Sequence, residues 1–371
     1  MHLTRLRLTE YRNHEHTDIQ LMPGINVFIG PNGQGKTNVV EAVNFLATGA
    51  SHRTHTSIAL VRQHCSTSVI NADFVNNERR LNVDVQIEGA GANKARANGN
   101  PIRLRELSRF VHVVIFAPED LRLIRDDPEE RRRFIDGVIE VLSPRMIGVF
   151  SDFERVLKQR NSLLKSLRAL NRAQRDLATL DLWDEKLVDL GSEIRVARMA
   201  AISALRVPLG NAYQEVAGEE HLTAIELVSK SADLAAENAD RDQAREVLRV
   251  ALGQSRDLDI DKGLSHVGPH RDDVLFSLNG LPTKGYASHG ETWSFALALK
   301  LAVAQLIRDG ELGDPILILD DVFAELDSGR RNRLATATQS FEQVLITAAV
   351  EADLPELGGH KQFHVLAGVV T

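Results

Sequence analysis

Apolar positions fall in short runs and alternations at both ends of the chain and in a longer helical rhythm through its middle. Leu3 to Leu8 and then Ile19 to Ile29 are brief apolar or alternating stretches separated by a polar segment, which predicts two strands. Ser68 to Glu88 alternates through Val69, Phe74, Leu81, Val83, Val85 and Ile87, Asn98-Gly99-Asn100-Pro101 supplies a turn, and Val111 to Phe116 reads as a buried strand. From Ser143-Pro144, an N-cap followed by proline at the first helical position, the rhythm becomes helical. Val149, Phe153, Val156, Leu163, Leu167 and Leu170 share one face, interrupted by Arg160. Trp183, Leu187, Leu190, Ile194, Ala197 and Ala201 repeat the pattern beyond the polar segment Asn171 to Asp181. Two such stripes predict an antiparallel helical hairpin over about 144–205, packed as in a bundle. The acidic stretch that follows, to about Lys262, has no readable order. Strand character returns at Val274 to Leu278, Trp293 to Ile307 predicts a buried helix, and Pro315 to Leu319 and Val344 to Thr347 predict buried strands. The fold class is therefore α/β. Residues 1–117 and 264–371 are expected to form one lobe, and 118–263 a mainly helical second lobe inserted into it.

Composition narrows the class. At 371 residues and 43% hydrophobic the chain can bury a large core, and its length predicts two domains or one with a large insertion. Cys65 is the one cysteine, which excludes an internal disulfide and a cysteine-based zinc cluster and points to a reducing compartment. Met1 to Arg12 carries Arg5, Arg7 and Glu10 and lacks the apolar core of a signal peptide, and Trp293 to Ile307 is too short for a bilayer and is broken by Lys300. A soluble, cytoplasmic protein with no membrane partner is expected. The net charge of -7 counts against broad attraction to nucleic acid, yet charge is locally uneven. Ser151 to Leu180 holds seven Lys and Arg against three acids, and a second basic cluster runs through Arg103, Arg105, Arg109, Arg122, Arg125 and Arg131 to Arg133. Charge runs of this kind are most often solvated helix faces.

The chemistry concentrates in two places. Gly30-Pro31-Asn32-Gly33-Gln34-Gly35-Lys36-Thr37 is a GxxxxGK[ST] phosphate loop between an apolar strand and a helix start. Its glycines let successive N–H groups surround the β- and γ-phosphates of ATP, Lys36 adds a charge, the Thr37 hydroxyl ligates Mg²⁺, and the helix N-terminus aims its dipole at the same anion. Far downstream, Pro315 to Leu319 ends in Asp320 and Asp321. Asp320 is expected to hold Mg²⁺ through its water shell. Asp321, on the other side of the strand, would polarise the attacking water as the catalytic residue. One nucleotide site then needs both ends of the chain.

Between those ends, Ala287-Ser288-His289-Gly290-Glu291-Thr292 precedes the apolar helix and resembles the signature motif of ABC-type ATPases, which caps the γ-phosphate of a nucleotide held by the opposing subunit. Ala324-Glu325-Leu326-Asp327 follows the Asp320 strand as an ABC-type D-loop does. With these in order, most of the chain resembles the RecF family, bacterial DNA-repair ATPases related to the SMC proteins. The resemblance is carried by Tyr11-Arg12-Asn13, the phosphate loop, Ser51-His52-Arg53, Pro118-Glu119-Asp120-Leu121, Pro128 through Asp136, Gly268 through Asp273, the signature segment and Leu319 through Asp327.

What the resemblance implies is an ABC-type ATPase head with a second lobe, ATP-dependent homodimerisation, slow DNA-stimulated hydrolysis, binding of double-stranded or gapped DNA, and cooperation with RecR and RecO in loading RecA. It adds Ser288, Gly290, Glu291 and Asp327 to the residues that contact nucleotide, and gives Arg53 a role linking DNA contact to hydrolysis. Three features depart from the pattern. Glu291 stands where the family commonly has Gln, Asp126-Asp127-Pro128 replaces a glycine-containing turn, and neither a Q-loop Gln near Pro118 to Leu121 nor a switch His after Val344 to Thr347 is present. Glu119 or Asp120 is expected to reach the metal's water shell instead. His270 and Arg271 lack metal-ligand spacing and are expected to stabilise the interface between the lobes. Two other classes compete: a P-loop phosphotransferase, which needs no signature segment, and a transporter-type ATP-binding subunit, which the long helical insertion disfavours.

Overall fold

The computed structural model describes residues 1–54, 56–76, 78–170, 177–218, 220–229, 240–310 and 312–371. The chain forms two compact units, one made of Met1–Ile124, Val207–Leu222 and Tyr286–Thr371, the other of Arg125–Arg206 and Thr223–Gly285.

The first unit opens with β1 (His2–Tyr11), β2 (His14–Gln20), β3 (Gly24–Ile29), α1 (Lys36–Thr48), β4 (Thr67–Asn76), β5 (Arg79–Glu88), β6 (Lys94–Ala97), β7 (Asn100–Ile102), β8 (Val113–Phe116) and the single turn α2 (Arg122–Arg125). It resumes with α8 (His289–Asp309), β12 (Ile316–Asp320), α9 (Ser328–Thr338), β13 (Gln343–Ala348), β14 (His360–Leu366) and β15 (Val369–Val370). One sheet has the order β15-β14-β3-β13-β12-β8, parallel from β14 to β8. Every residue of β12 and β13 is buried, because both faces of a parallel sheet are covered and its strands read as continuous apolar runs. The second sheet, β2-β1-β4-β5-β6-β7, is antiparallel and buries one face. On β4 that face carries Ser68, Ile70, Ala72 and Phe74, so Val69 belongs to the opposite face from Phe74. Helix α1 joins the two sheets in one core, with Val39, Val43 and Leu46 clustered with Leu8, Phe74 and Val85 of the antiparallel sheet and with Phe28, Ile318 and Leu345 of the parallel one. That core fixes where α1 begins, and its N-terminus is the phosphate loop.

The second unit contains α3 (Pro128–Leu142), α4 (Met146–Ala169), the first part of α5 (Ala178–Ala217), β9 (Thr223–Val228), α6 (Arg241–Lys262), β10 (Asp273–Leu278), β11 (Leu281–Pro282) and most of α7 (Thr283–Tyr286). Helix begins earlier than Ser143. Pro128 takes the first position of α3 behind Asp127, whereas Ser143 closes that helix by donating its N–H to the Ile139 carbonyl at 2.7 Å. Leu164, Leu167, Leu180 and Ile260 bring α4, α5 and α6 into a small core. Leu164, not Leu163, is the fully buried leucine of α4. Arg160 is no interruption of the buried face but part of it. It is fully buried, its Nε donates to Asp184 at 2.6 Å, and its Nη1 donates to Asp259 at 2.8 Å and to the Ser265 hydroxyl at 2.7 Å. Strands β9, β10 and β11 form a short antiparallel sheet, with β9 drawn from the acidic stretch whose order the sequence did not reveal. Residues 171–176, which include Arg172 and Arg175 of the basic segment, and 230–239 of the acidic stretch lie outside the described residues.

Candidate functional site

The phosphate loop is shaped by close approaches that leave no room for side chains. A Cβ on Gly30 would lie 2.1 Å from the Val365 carbonyl oxygen of β14. Gly35, the N-cap of α1, has φ 116°, in the region that favours glycine, and faces Asn13 and His14. The loop is pinned from outside at Gln34: its carbonyl accepts from Asn13 Nδ2 and Gly368 N, each at 2.9 Å, and its Oε1 accepts from Ala367 N at 2.7 Å. Inside, Lys36 Nζ donates to the Gly30 carbonyl at 2.5 Å and the Pro31 carbonyl at 3.1 Å, with Asn32 Oδ1 at 3.4 Å. The loop is thus curled around its own ammonium. Burial lowers the Lys36 pKa, and the carboxylates of Asp321 and Asp320 oppose that shift.

Parallel pairing of β12 with β13 sets Asp320 beside Thr347 and brings both to the loop. Asp320 Oδ1 accepts from the Thr37 hydroxyl at 3.1 Å and from the Thr347 hydroxyl at 2.6 Å. Burial raises its pKa, against the pull of those two hydrogen bonds. Asp321 adopts a left-handed backbone, φ 55°, and its N–H donates to Thr347 Oγ1 at 2.9 Å. Its Oδ1 is buried without a hydrogen-bond partner.

Arg12, Asn13, Asn32, Gly33, Gly35, Lys36, Thr37, Asn38, Arg53 and Asp321 line one cleft of about 540 Å³. Arg53 reaches it from the loop after α1, donating to Asn38 Oδ1 at 3.0 Å and standing 3.8 Å from Glu41. Glu41 is the hub of this wall. It is fully buried on α1, takes two hydrogen bonds from Arg12 at 2.6 and 2.9 Å, and accepts from Ser51 Oγ at 2.5 Å. Burial alone would raise its pKa, but Arg12 and Ser51 outweigh that and hold it low.

Ser288 caps α8 in a reciprocal box: its hydroxyl accepts from Glu291 N at 3.3 Å, and the Glu291 carboxylate accepts from Ser288 N at 2.7 Å. Glu291 therefore spends its charge on its own helix start, and the Ser288 hydrogen bonds hold its pKa down. Asp327 caps α9, accepting from Arg330 N at 2.9 Å, and the Arg330 guanidinium lies against Gly290. Among the described residues, none of Ser288, Gly290, Glu291 and Asp327 lines the cleft of the phosphate loop. Loop, Asp320, Asp321 and Arg53 are brought together, and the signature group stands apart from them.

Of the two Q-loop substitutes, Asp120 is occupied: it accepts from Ala117 N at 2.9 Å and pairs with Lys300 at 2.8 Å. Glu119 is the one whose charge bears on Asp320, along with His52, a buried imidazole with no hydrogen bond to either ring nitrogen, whose pKa burial lowers. His270 and Arg271 both bond the Ser265 carbonyl within the second unit. Thr347, Glu41 and Asn38 are residues of the candidate site that motif reading misses, and Asn13, marked in the sequence only by resemblance, gains a role in pinning Gln34. For Thr347 the available signal was a hydroxyl at the end of a buried strand beside the Asp320 strand.

The basic clusters sort themselves by pairing. Arg131 is buried against Asp273, Arg132 donates to the Asp272 carbonyl at 2.7 Å, and Arg133 pairs with Glu129 and Glu130. Arg103, Arg105, Arg109, Arg122 and Arg125 are exposed, with Arg109 3.9 Å from Glu106.

The cleft is walled by both ends of the chain, and the capped start of α8 lies elsewhere in the same unit. The family described as RecF/RecN/SMC N terminal domain matches residues 2–365. The DNA replication and repair protein RecF of Clavibacter sepedonicus is 50% identical, covering 100% of this chain and 95% of that protein. The chain belongs to the RecF family. RecF of Streptomyces avermitilis is 46% identical over 100% of this chain and 99% of its own length. Two solved structures of the recombination mediator protein RecF in the RecFOR pathway, RecF-ATPrS and RecF-ATP, superpose with TM-score 0.89 at 26% identity, covering 100% of this chain and 97% and 98% of those chains. The Smc head domain of Pyrococcus furiosus shares the fold alone, with TM-score 0.54 at 14% identity over 100% of this chain and 95% of that one. The fold is the ABC-type ATPase head of RecF and SMC proteins. Among the described residues, no helix is long and apolar enough to cross a membrane.

Proposed function

We propose that this RecF-family chain is a cytoplasmic, ATP-dependent DNA-binding ATPase of recombinational repair and replication-fork maintenance, whose nucleotide cycle makes and breaks a homodimer on double-stranded or gapped DNA. The observation that carries this reading is the Thr37–Asp320 hydrogen bond, which joins the phosphate loop to the carboxylate strand in a form ready for a phosphate-bound cation. Relatives described as RecF-ATP support ATP as the nucleotide.

In this account Gly30 to Thr37 wraps the β- and γ-phosphates with backbone N–H groups, and Lys36 exchanges its bonds to the Gly30 and Pro31 carbonyls for the phosphate oxygens. A hydroxyl, a carboxylate and phosphate oxygens are the hard donors that Mg²⁺ takes, so Thr37 and Asp320 fit it. Bound there, Mg²⁺ would neutralise phosphate charge. Asp321, with a buried and unpartnered Oδ1 in the same cleft, accepts a hydrogen bond from the attacking water and orients it. Ser288 and Gly290 of a second copy close over the γ-phosphate, Glu291 acts by fixing Ser288, and Asp327 positions Arg330 beside them. The α/β lobe of both chain ends performs this chemistry, and the helical lobe is its inserted companion. Arg53, in the cleft wall, couples DNA contact to hydrolysis, which is slow and DNA-stimulated. The RecFOR pathway named for the related RecF structures supports cooperation with RecR and RecO in loading RecA.

Sizing the purified protein with and without ATP, Mg²⁺ and duplex DNA tests the reading. A nucleotide-dependent dimer is expected. A monomer under every condition would favour a phosphotransferase-like role for the same loop.

A further inference from the structure

The end of β13 carries a hydroxyl that touches both carboxylate residues of the site. Thr347 Oγ1 is buried, lies 2.6 Å from Asp320 Oδ1 and accepts from Asp321 N at 2.9 Å. A hydroxyl has one proton to give. Asp320 Oδ1 takes that proton, which leaves the Thr347 lone pairs for the Asp321 N–H. The bond from Asp321 N holds a residue that is not glycine at φ 55°, a conformation that persists only where the surroundings fix it. Asp321 lines the phosphate-loop cleft, and its Oδ1 is buried and unpartnered.

We infer that Thr347 is a positioning residue for hydrolysis: through one hydroxyl it aims the Asp321 carboxylate and restrains the Asp320 carboxylate. This rests on the reading of Asp320 and Asp321 given above and deepens it. Thr37 and Thr347 share Asp320 Oδ1, but their fates differ when nucleotide arrives. Thr37 belongs to the loop and is free to turn toward the phosphates. Thr347 sits on the neighbouring strand, paired with Asp320 in the sheet, and keeps its bond. Asp320 is then not released to rotate, and the backbone of Asp321 stays where its side chain meets the cleft. No histidine stands between Ala348 and Gly359, directly after this strand, and the fixed hydroxyl supplies the polar anchor at the strand end.

Thr347→Val keeps the shape and removes the hydroxyl, Thr347→Ser keeps the hydroxyl, and Thr347→Ala is a second loss variant should the valine form unfold. In the nucleotide-free protein, hydrogen exchange at the Asp321 amide should accelerate at least tenfold in Thr347→Val and return toward wild type in Thr347→Ser. With ATP, Thr347→Val should bind within twofold of wild type while its kcat falls at least tenfold, and serine should restore most of it. Unchanged amide exchange, or unchanged kcat in both loss variants, overturns the inference. Asp321→Asn, assayed alongside, separates the two levels: if it hydrolyses ATP as wild type does, the reading of Asp321 fails, whereas its loss of activity beside a fully active Thr347→Val rejects the role of Thr347 alone.

Discussion

The Thr37 hydroxyl donates to the Asp320 carboxylate at 3.1 Å, linking positions 283 residues apart. One partner comes from the first turn of α1 and the other from the last residue of β12, so the bond exists only when the core around α1 has assembled both sheets. The candidate nucleotide site therefore draws on both ends of the chain.

Asp320 and Asp321 are adjacent but have different roles in the proposed mechanism, and their asparagine variants should separate. Asp320→Asn should weaken Mg²⁺-dependent ATP binding by about 10- to 100-fold, as loss of a metal-orienting partner does. Asp321→Asn should leave ATP affinity near wild type and lower kcat by roughly 10²-fold or more, the usual contribution of a positioned base, so that an ATP-bound dimer accumulates. Titration calorimetry and steady-state hydrolysis measure the two effects. Equal loss of ATP binding in both variants would contradict the division of roles.

Ser288→Arg places a bulky cation at the start of α8, away from the phosphate-loop cleft. The monomer should bind ATP with wild-type affinity, yet the ATP-dependent dimer peak on a sizing column should vanish. A normal dimer from this variant would remove the signature segment from the mechanism.

Acid should weaken the second unit through His270. Burial lowers its pKa to about 4, so between that value and the ordinary 6.5 of an exposed imidazole the unfolded chain binds a proton that the folded chain does not. The His270 contribution to stability therefore rises with pH across this window, by up to about 3 kcal/mol, while Glu140 of the same unit, pushed up to about 7 by burial, contributes with the opposite sign. Urea denaturation of wild type and His270→Gln between pH 4 and pH 7 checks this, since the stability difference, wild type minus variant, should grow as pH rises.

DNA binding should depend on ATP, lack strong sequence preference and weaken steeply with salt. Arg103, Arg105 and Arg109 are among the exposed cations and Arg53 lines the cleft, and a log–log salt slope on the order of six to ten is expected if both subunits contribute. Arg53→Ala should reduce DNA stimulation of hydrolysis more than basal hydrolysis. Salt-independent affinity, or equal affinity without nucleotide, would make these arginines plain surface.

Much of this site was legible because its chemistry is local in sequence. The phosphate loop needs consecutive residues, and the signature cap needs Ser288 and Glu291 three positions apart, so both could be read directly. The anchors could not. Thr347 acts through strand pairing, Glu41 and Arg12 meet across a fold, and Asp120 is withdrawn by Lys300 from a helix far along the chain. Helix boundaries erred where two prolines, Pro128 and Pro144, were both able to start a helix. Arg160 looked like a break in an apolar stripe because periodicity registers polarity and not pairing, while Asp184 and Asp259 lie on other helices.

The most direct test of the account is equilibrium titration of ATP with Mg²⁺ onto the wild-type chain and Lys36→Ala. Lys36 Nζ already sits among the loop carbonyls that the phosphates would displace it from, so its loss should weaken binding at least 100-fold, about 2.8 kcal/mol. ATP bound by Lys36→Ala with wild-type affinity would contradict the assignment of this cleft as the nucleotide site.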